Sequence, residues 1–97
     1  MRRKRPNNFE TITVSTSAIG ITTGLISDMT AKAFITVEDA NIRYRIDGTD
    51  PTSSVGHPVT SGNSITLDTE QEIRNFKAIR SGESDAKLQV TLWDYFN

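Results

Sequence analysis

Apolar and polar residues alternate along most of this chain with the period of a β-strand, and no stretch sustains the 3.6-residue period of a long helix. The clearest run is Ala86 to Leu92, with Leu88, Val90 and Leu92 against Lys87, Gln89 and Thr91. Phe9 to Thr16 alternates with Ile12 and Val14 on the apolar side, and Ala31 to Val37 does so with Ala33, Ile35 and Val37. Ile42, Tyr44 and Ile46 alternate with Arg43, Arg45 and Asp47. Ser64 to Leu67 is a short strand with Ile65 and Leu67 inward. Ile73 to Arg80 is a further one, with Phe76 and Ala78 inward and a bulge where Ile73 falls out of phase.

The connections carry turn chemistry. Glu38-Asp39-Ala40-Asn41 is of hairpin length, so the strands on either side of it are expected to pair antiparallel. Asp68-Thr69-Glu70-Gln71-Glu72 reads as an acidic turn, and residues 17–30 as a loop with a short helix or strand inside it. Six to seven short strands with turn signals about every ten residues predict an all-β fold, a single antiparallel β-sandwich of Ig-like or jelly-roll-like type. Residues 1–8 hold Arg2, Arg3, Lys4, Arg5, Pro6 and two Asn with nothing to bury, and are expected to form a flexible basic arm on a domain spanning 9–97.

Composition sharpens this picture. The 97 residues carry 11 basic and 12 acidic side chains, and four of the basic ones lie in the first five positions. The remainder is therefore acidic, a basic arm on an acidic body. Hydrophobic residues make up 35% of the chain, low for a globular domain, which fits a thin sandwich or a subunit that completes its burial on partners. There is no cysteine, hence no thiol nucleophile and no Cys-based zinc site. No apolar run approaches the roughly 18 residues of a membrane span, and Pro6-Asn7-Asn8 stands where a signal peptide would place its apolar region.

Candidate chemistry is sparse. Asp47, Gly48, Asp50 and Pro51 bring two carboxylates together, which suits a hard cation but equally suits turn capping, and the alternating ligands and distal Glu of an EF-hand are missing. We read these four residues as setting loop geometry and binding no metal. His57, the single histidine, has Ser and Thr residues nearby in sequence but no nucleophile-elbow pattern. Asp68, Glu70 and Glu72 lie in one polar turn with nothing to separate their acidities.

The termini are the candidate partner-binding residues. Arg2, Arg3, Lys4 and Arg5 suit an acidic protein surface, a solubilising tail or nucleic-acid phosphate; no aromatic residue is interleaved with them in sequence, which disfavours base stacking. Trp93, Tyr95 and Phe96 end the chain. Continued alternation turns Trp93 and Tyr95 away from the face of Leu92, as interface anchors or as a cap on the domain's own open end.

The segment Ile42-Arg43-Tyr44-Arg45-Ile46-Asp47-Gly48-Thr49-Asp50-Pro51-Thr52-Ser53-Ser54, then Val55-Gly56-His57-Pro58, Ser64-Ile65-Thr66-Leu67 and Phe76-Lys77-Ala78-Ile79-Arg80, resembles small structural proteins encoded in tailed-bacteriophage virion gene clusters. The resemblance covers about residues 33–92. Its core from Tyr44 to Thr52, Y-x-x-D-G-x-x-P-T, also resembles the immunoglobulin-like C-terminal module of chitobiase-type glycosidases, which is accessory and not catalytic. Both likenesses imply a β-sandwich without an active site or cofactor, and the absence of an attached enzyme domain favours the phage reading. The expectation is a non-enzymatic decoration or minor capsid or neck subunit. It would be a homo-oligomer or present in several copies on the virion after assembly in the host cytoplasm, with other virion proteins as partners and neither nucleic acid nor membrane. The alternative is a carbohydrate- or surface-binding accessory module.

Overall fold

The computed structural model describes residues 2–96; Met1 and Asn97, the outermost residues of the expected arm and domain, lie outside them. Seven strands form two antiparallel sheets, six of them at the alternating runs named above and the seventh, His57–Val59, in a stretch that shows no such run. The strands are β1 (Arg3–Val14), β2 (Thr30–Glu38), β3 (Ile42–Arg45), β4 (His57–Val59), β5 (Ser64–Leu67), β6 (Lys77–Arg80) and β7 (Ala86–Phe96), with one short helix, α1 (Glu70–Asn75), before β6. One sheet has the order β1-β7-β2-β5 and the other β4-β3-β6.

The core lies between the sheets. Ile12, Val14, Ala33, Ile35, Val37, Ile65, Leu67, Leu88, Val90 and Leu92 face inward from the larger sheet, and Ile42 and Ala78 from the smaller one. Ile73 of α1 and Phe76, the residue between α1 and β6, fill the space between them. Tyr44 and Ile46, expected in the same core, are half-buried and pack at its margin. Phe34 departs from the core by the same alternation that buries its neighbours, and is 38% exposed.

Three expectations are corrected. The basic arm is not separate from the domain: Arg3 to Asn8 are the first half of β1, paired with β7 from Arg3↔Phe96 to Val14↔Ala86 with a bulge between Pro6 and Asn8. Long pairing partners at the far end of the sequence supply the backbone bonds that the arm's composition lacks side-chain means to replace.

The strands flanking residues 38–41 do not pair with each other. β2 belongs to one sheet and β3 to the other, so this connection crosses the sandwich, with Asp39 at φ 74° making the corner. Both Val37 and Ile42 are buried, and an inter-sheet arch buries both ends as well as a hairpin does.

The acidic turn is a helix start. Thr69 is the N-cap of α1 and accepts from the Glu72 backbone N–H at 3.1 Å, while the Glu72 carboxylate reaches back to the Asp68 N–H at 2.9 Å. This is a T-x-x-E capping arrangement shifted back by one residue at its return bond. Ile73 is accordingly a buried helix residue; its apparent phase error in a strand was the helix itself.

Residues 15–29 hold a 3₁₀ turn at Thr23–Leu25 and a single bridge between Ile19 and Ala78, and no full strand. This loop closes the open side of the sandwich by tying β1's end to β6.

Candidate functional site

The loop after β3 is built as a structural unit. The Arg45 Nε donates to Asp47 Oδ1 at 3.0 Å, and the Thr49 N–H donates to the same carboxylate at 3.3 Å. Gly48 sits at φ 87°, Pro51 is buried and Asp50 is exposed. Arg43, which sequence reading passed over, holds the far side: its guanidinium donates to the Ser53 and Gly56 carbonyls at 3.2 and 2.8 Å. The Thr52 hydroxyl accepts from the Val55 N–H at 2.9 Å. His57 lies on β4 with its ring 5.4 Å from that of Tyr44, which in turn stands 5.6 Å from Phe76.

The hydrogen bond from Arg45 holds the Asp47 carboxyl below the usual carboxylate range, opposed by partial desolvation and helped by the Thr49 amide; the same bond raises Arg45. A depressed carboxylate contributes stability above its ordinary range and loses it as pH falls through the depressed value. At this solvent-accessible pair the contribution is small. The contribution of this pair should therefore persist between pH 7 and 5, and the Thr49 amide resonance should shift with Asp47 only below about pH 4. A shift near neutral pH would show that another group governs the loop.

Gly56 has φ 136°, and a methyl group there would meet the Tyr44 carbonyl at 3.1 Å and the Pro51 and Arg43 side chains at 3.2 and 3.3 Å. Gly56→Ala should cost about 1–3 kcal/mol in a denaturant melt. A neutral result would mean that the loop can relax away from β3. The groove beside the loop is lined by Arg45, Ile46, Asp47, Val55, Gly56 and His57, and holds no hydroxyl nucleophile among these residues. Among the described residues, no group of three or more His, Asp or Glu side chains converges as a metal site.

The structure brings the two termini together. β1 and β7 form a ribbon in which Lys4 pairs with Tyr95 and Arg3 with Phe96. The Arg2 guanidinium and the Lys4 ammonium lie 5.3 and 5.8 Å from the Tyr95 ring centre, while Arg3 and Arg5 lie 5.5 and 5.1 Å from that of Phe96. The Arg5 Nε also donates to Asp94 Oδ1 at 3.1 Å. The basic and aromatic residues that sequence placed at opposite ends of the chain are thus interleaved in space. Cation–π contacts of this kind are worth roughly 0.5–1 kcal/mol each at exposed sites.

Strand register sorts these residues by face. Asp94 and Phe96 continue the inward phase of Leu92, and Trp93 and Tyr95 the outward phase of Thr91. On the outer face, Phe9 of β1, Thr91 of β7, Phe34 of β2 and Thr66 of β5 lie in one row, and Pro6, Trp93 and Lys32 lie in the next. The Lys32 ammonium sits 4.8 Å from the Trp93 ring centre. Phe9 is 61% exposed.

The other half of this face is polar and self-satisfied, Thr11 donating to Gln89 and Gln89 to Glu38, each at 2.7 Å. Four aromatic side chains and three cations therefore share one half of one sheet face. Phe9 and Phe34 were not singled out from sequence, although each is out of phase with its strand's core residues. Comparison with protein-family models, curated proteins and solved structures gives no match.

Proposed function

We propose that this chain is a non-enzymatic structural subunit of a tailed-bacteriophage virion, a decoration or minor component of the capsid or neck. We further propose that it attaches to its particle through the aromatic and basic half of the outer sheet face. One observation carries the reading: Phe9, Phe34, Trp93 and Tyr95 stand on the solvent side of the larger sheet with Arg2, Lys4 and Lys32 among them. Aromatic side chains with Arg or Lys at their edges are the usual anchors of protein interfaces. The resemblance of the Ile42–Ser54 segment supplies the virion context.

The test is co-sedimentation of the chain with shells lacking it, beside a thermal melt of each variant. Phe34→Ala and Trp93→Ala should weaken attachment roughly tenfold or more, the cost of losing one interface anchor. Phe34→Ala, at an exposed position, should leave the melt nearly unchanged. Attachment that survives both substitutions would refute the assignment of this face.

The aromatic row also favours a second reading, a carbohydrate-binding module, because Phe9, Phe34 and Trp93 lie on one sheet surface. Glycan-array binding lost in Phe9→Ala and Phe34→Ala would select it over the virion reading.

A further inference from the structure

We infer that copies of this chain associate head to tail along the larger sheet, the β1 edge of one copy seating against the β5–α1 edge of the next. The sheet order β1-β7-β2-β5, antiparallel at every step, makes β1 and β5 run in opposite directions at its two edges. A neighbour in the same orientation therefore continues an antiparallel sheet. Among the described residues no other segment's backbone pairs with the outer edge of either strand.

Register makes the match specific. Asn8, Leu92, Ala33 and Leu67 form one row across the sheet, and Glu10, Val90, Ile35 and Ile65 another. A neighbour placed without axial shift sets its Asn8–Thr11 beside Ser64–Leu67, because these stretches occupy the same rows. Beyond Asn8, β1 continues as Arg3–Pro6; at the same end of the sheet the chain leaves β5 after Leu67 and turns through Asp68–Glu72 into α1. The same unshifted placement thus brings the basic stretch against the acidic one.

On the outer face, Phe9 of the neighbouring copy lands beside Thr66 and prolongs the aromatic row. Pro6 has no N–H and the bulge at Asn7 interrupts the ladder, so the charged stretch contributes ion pairs more than ladder bonds. An edge strand carrying Arg3, Lys4 and Arg5 repels basic edges and tolerates an acidic one, which selects the partner edge.

This interface is heterologous: it joins two different edges, and closes into a ring if the rotation between copies allows. It uses the sheet's edges and leaves Phe34, Trp93 and Lys32 free on the outer face, sharing only Lys4 and Phe9 with the attachment proposed above.

Sedimentation velocity of the full chain tests it. Association should rise with concentration and weaken roughly tenfold or more between about 0.05 and 0.5 M NaCl. Charge reversal at one edge, Arg3→Glu with Lys4→Glu, should give a monomer. So should added positive charge at the other edge, Asp68→Lys with Gln71→Lys, a pair that spares the Thr69–Glu72 cap. Mixed in equal amounts, the two variants should recover the wild-type species, since each reversed edge now complements the other.

Near-ultraviolet dichroism of Trp93 reports whether each variant is folded. In the unaltered chain, amide exchange along Phe9–Thr11 and Ser64–Leu67 should slow as concentration rises. A wild-type chain that stays monomeric, or an acidic-edge variant that still associates by itself, overturns the inference. So does failure of the folded variants to recover the assembly on mixing, or binding of the basic edge to an oligonucleotide alone.

Discussion

Phe76→Ala should lower the unfolding free energy by about 3–5 kcal/mol, the largest effect expected of any single truncation here. The ring is fully buried, and it sits where α1 hands over to β6. Its removal opens a cavity against Tyr44, whose ring it contacts, and against the Ile19–Ala78 bridge nearby. A domain at the lower end of the usual range of about 5–15 kcal/mol would be left near its threshold. Tyr44→Ala, at a half-buried position, should cost less. Denaturant melts of the two variants give the comparison, and a larger loss at Tyr44 than at Phe76 would misplace the centre of the core.

Gly20→Ala should be the most damaging glycine substitution. A methyl group there would stand 2.6 Å from the Phe76 carbonyl oxygen, a backbone atom that cannot swing aside. The neighbouring residue ties this loop to β6, with Ile19 and Ala78 exchanging backbone bonds at 2.9 Å in both directions. Relieving the clash means pulling the loop off the sheet, at a cost of about 1–3 kcal/mol. The buried Ile21 and Ile26 would be loosened with it. Gly24→Ala, in open space, is the control and should be close to neutral. Equal melts for the two variants would mean that the loop does not close the sandwich in the way described.

Both effects depend on contacts of uneven legibility. The strands with long alternation were readable, because a period of two fixes which side chains are buried whatever the partner strand is. Leu88, Val90 and Leu92 show this on β7, and Ala33, Ile35 and Val37 on β2. Helix α1 was not read because six residues span less than two turns, too few for a 3.6-residue period to declare itself. Its signal lay in the cap, Thr69 with Glu72 three residues on. The change of sheet between β2 and β3 was invisible for a different reason: a four-residue polar connection serves a hairpin and an arch equally.

The site divided in the same way. Trp93 and Tyr95 were placed opposite the core by phase alone, and the structure puts them there. Phe9 and Phe34 carried the same phase signal, but an outward aromatic becomes meaningful only when others join it across strands. The interleaving of Lys4 with Tyr95 depends on pairing between residues at opposite ends of the chain, which no local pattern encodes. The role of Arg43 in the loop likewise depends on where the Ser53 and Gly56 carbonyls turn in space.

The most direct measurement of the central claim is electron cryomicroscopy of shells reconstituted with the purified chain. The larger sheet should pack its outer face on the shell, with density continuous at Phe9, Phe34, Trp93 and Tyr95 and acidic shell residues opposite Lys4 and Lys32. A map with that face turned to solvent, and attachment made through the Asp47–Pro51 loop or the smaller sheet, would contradict it.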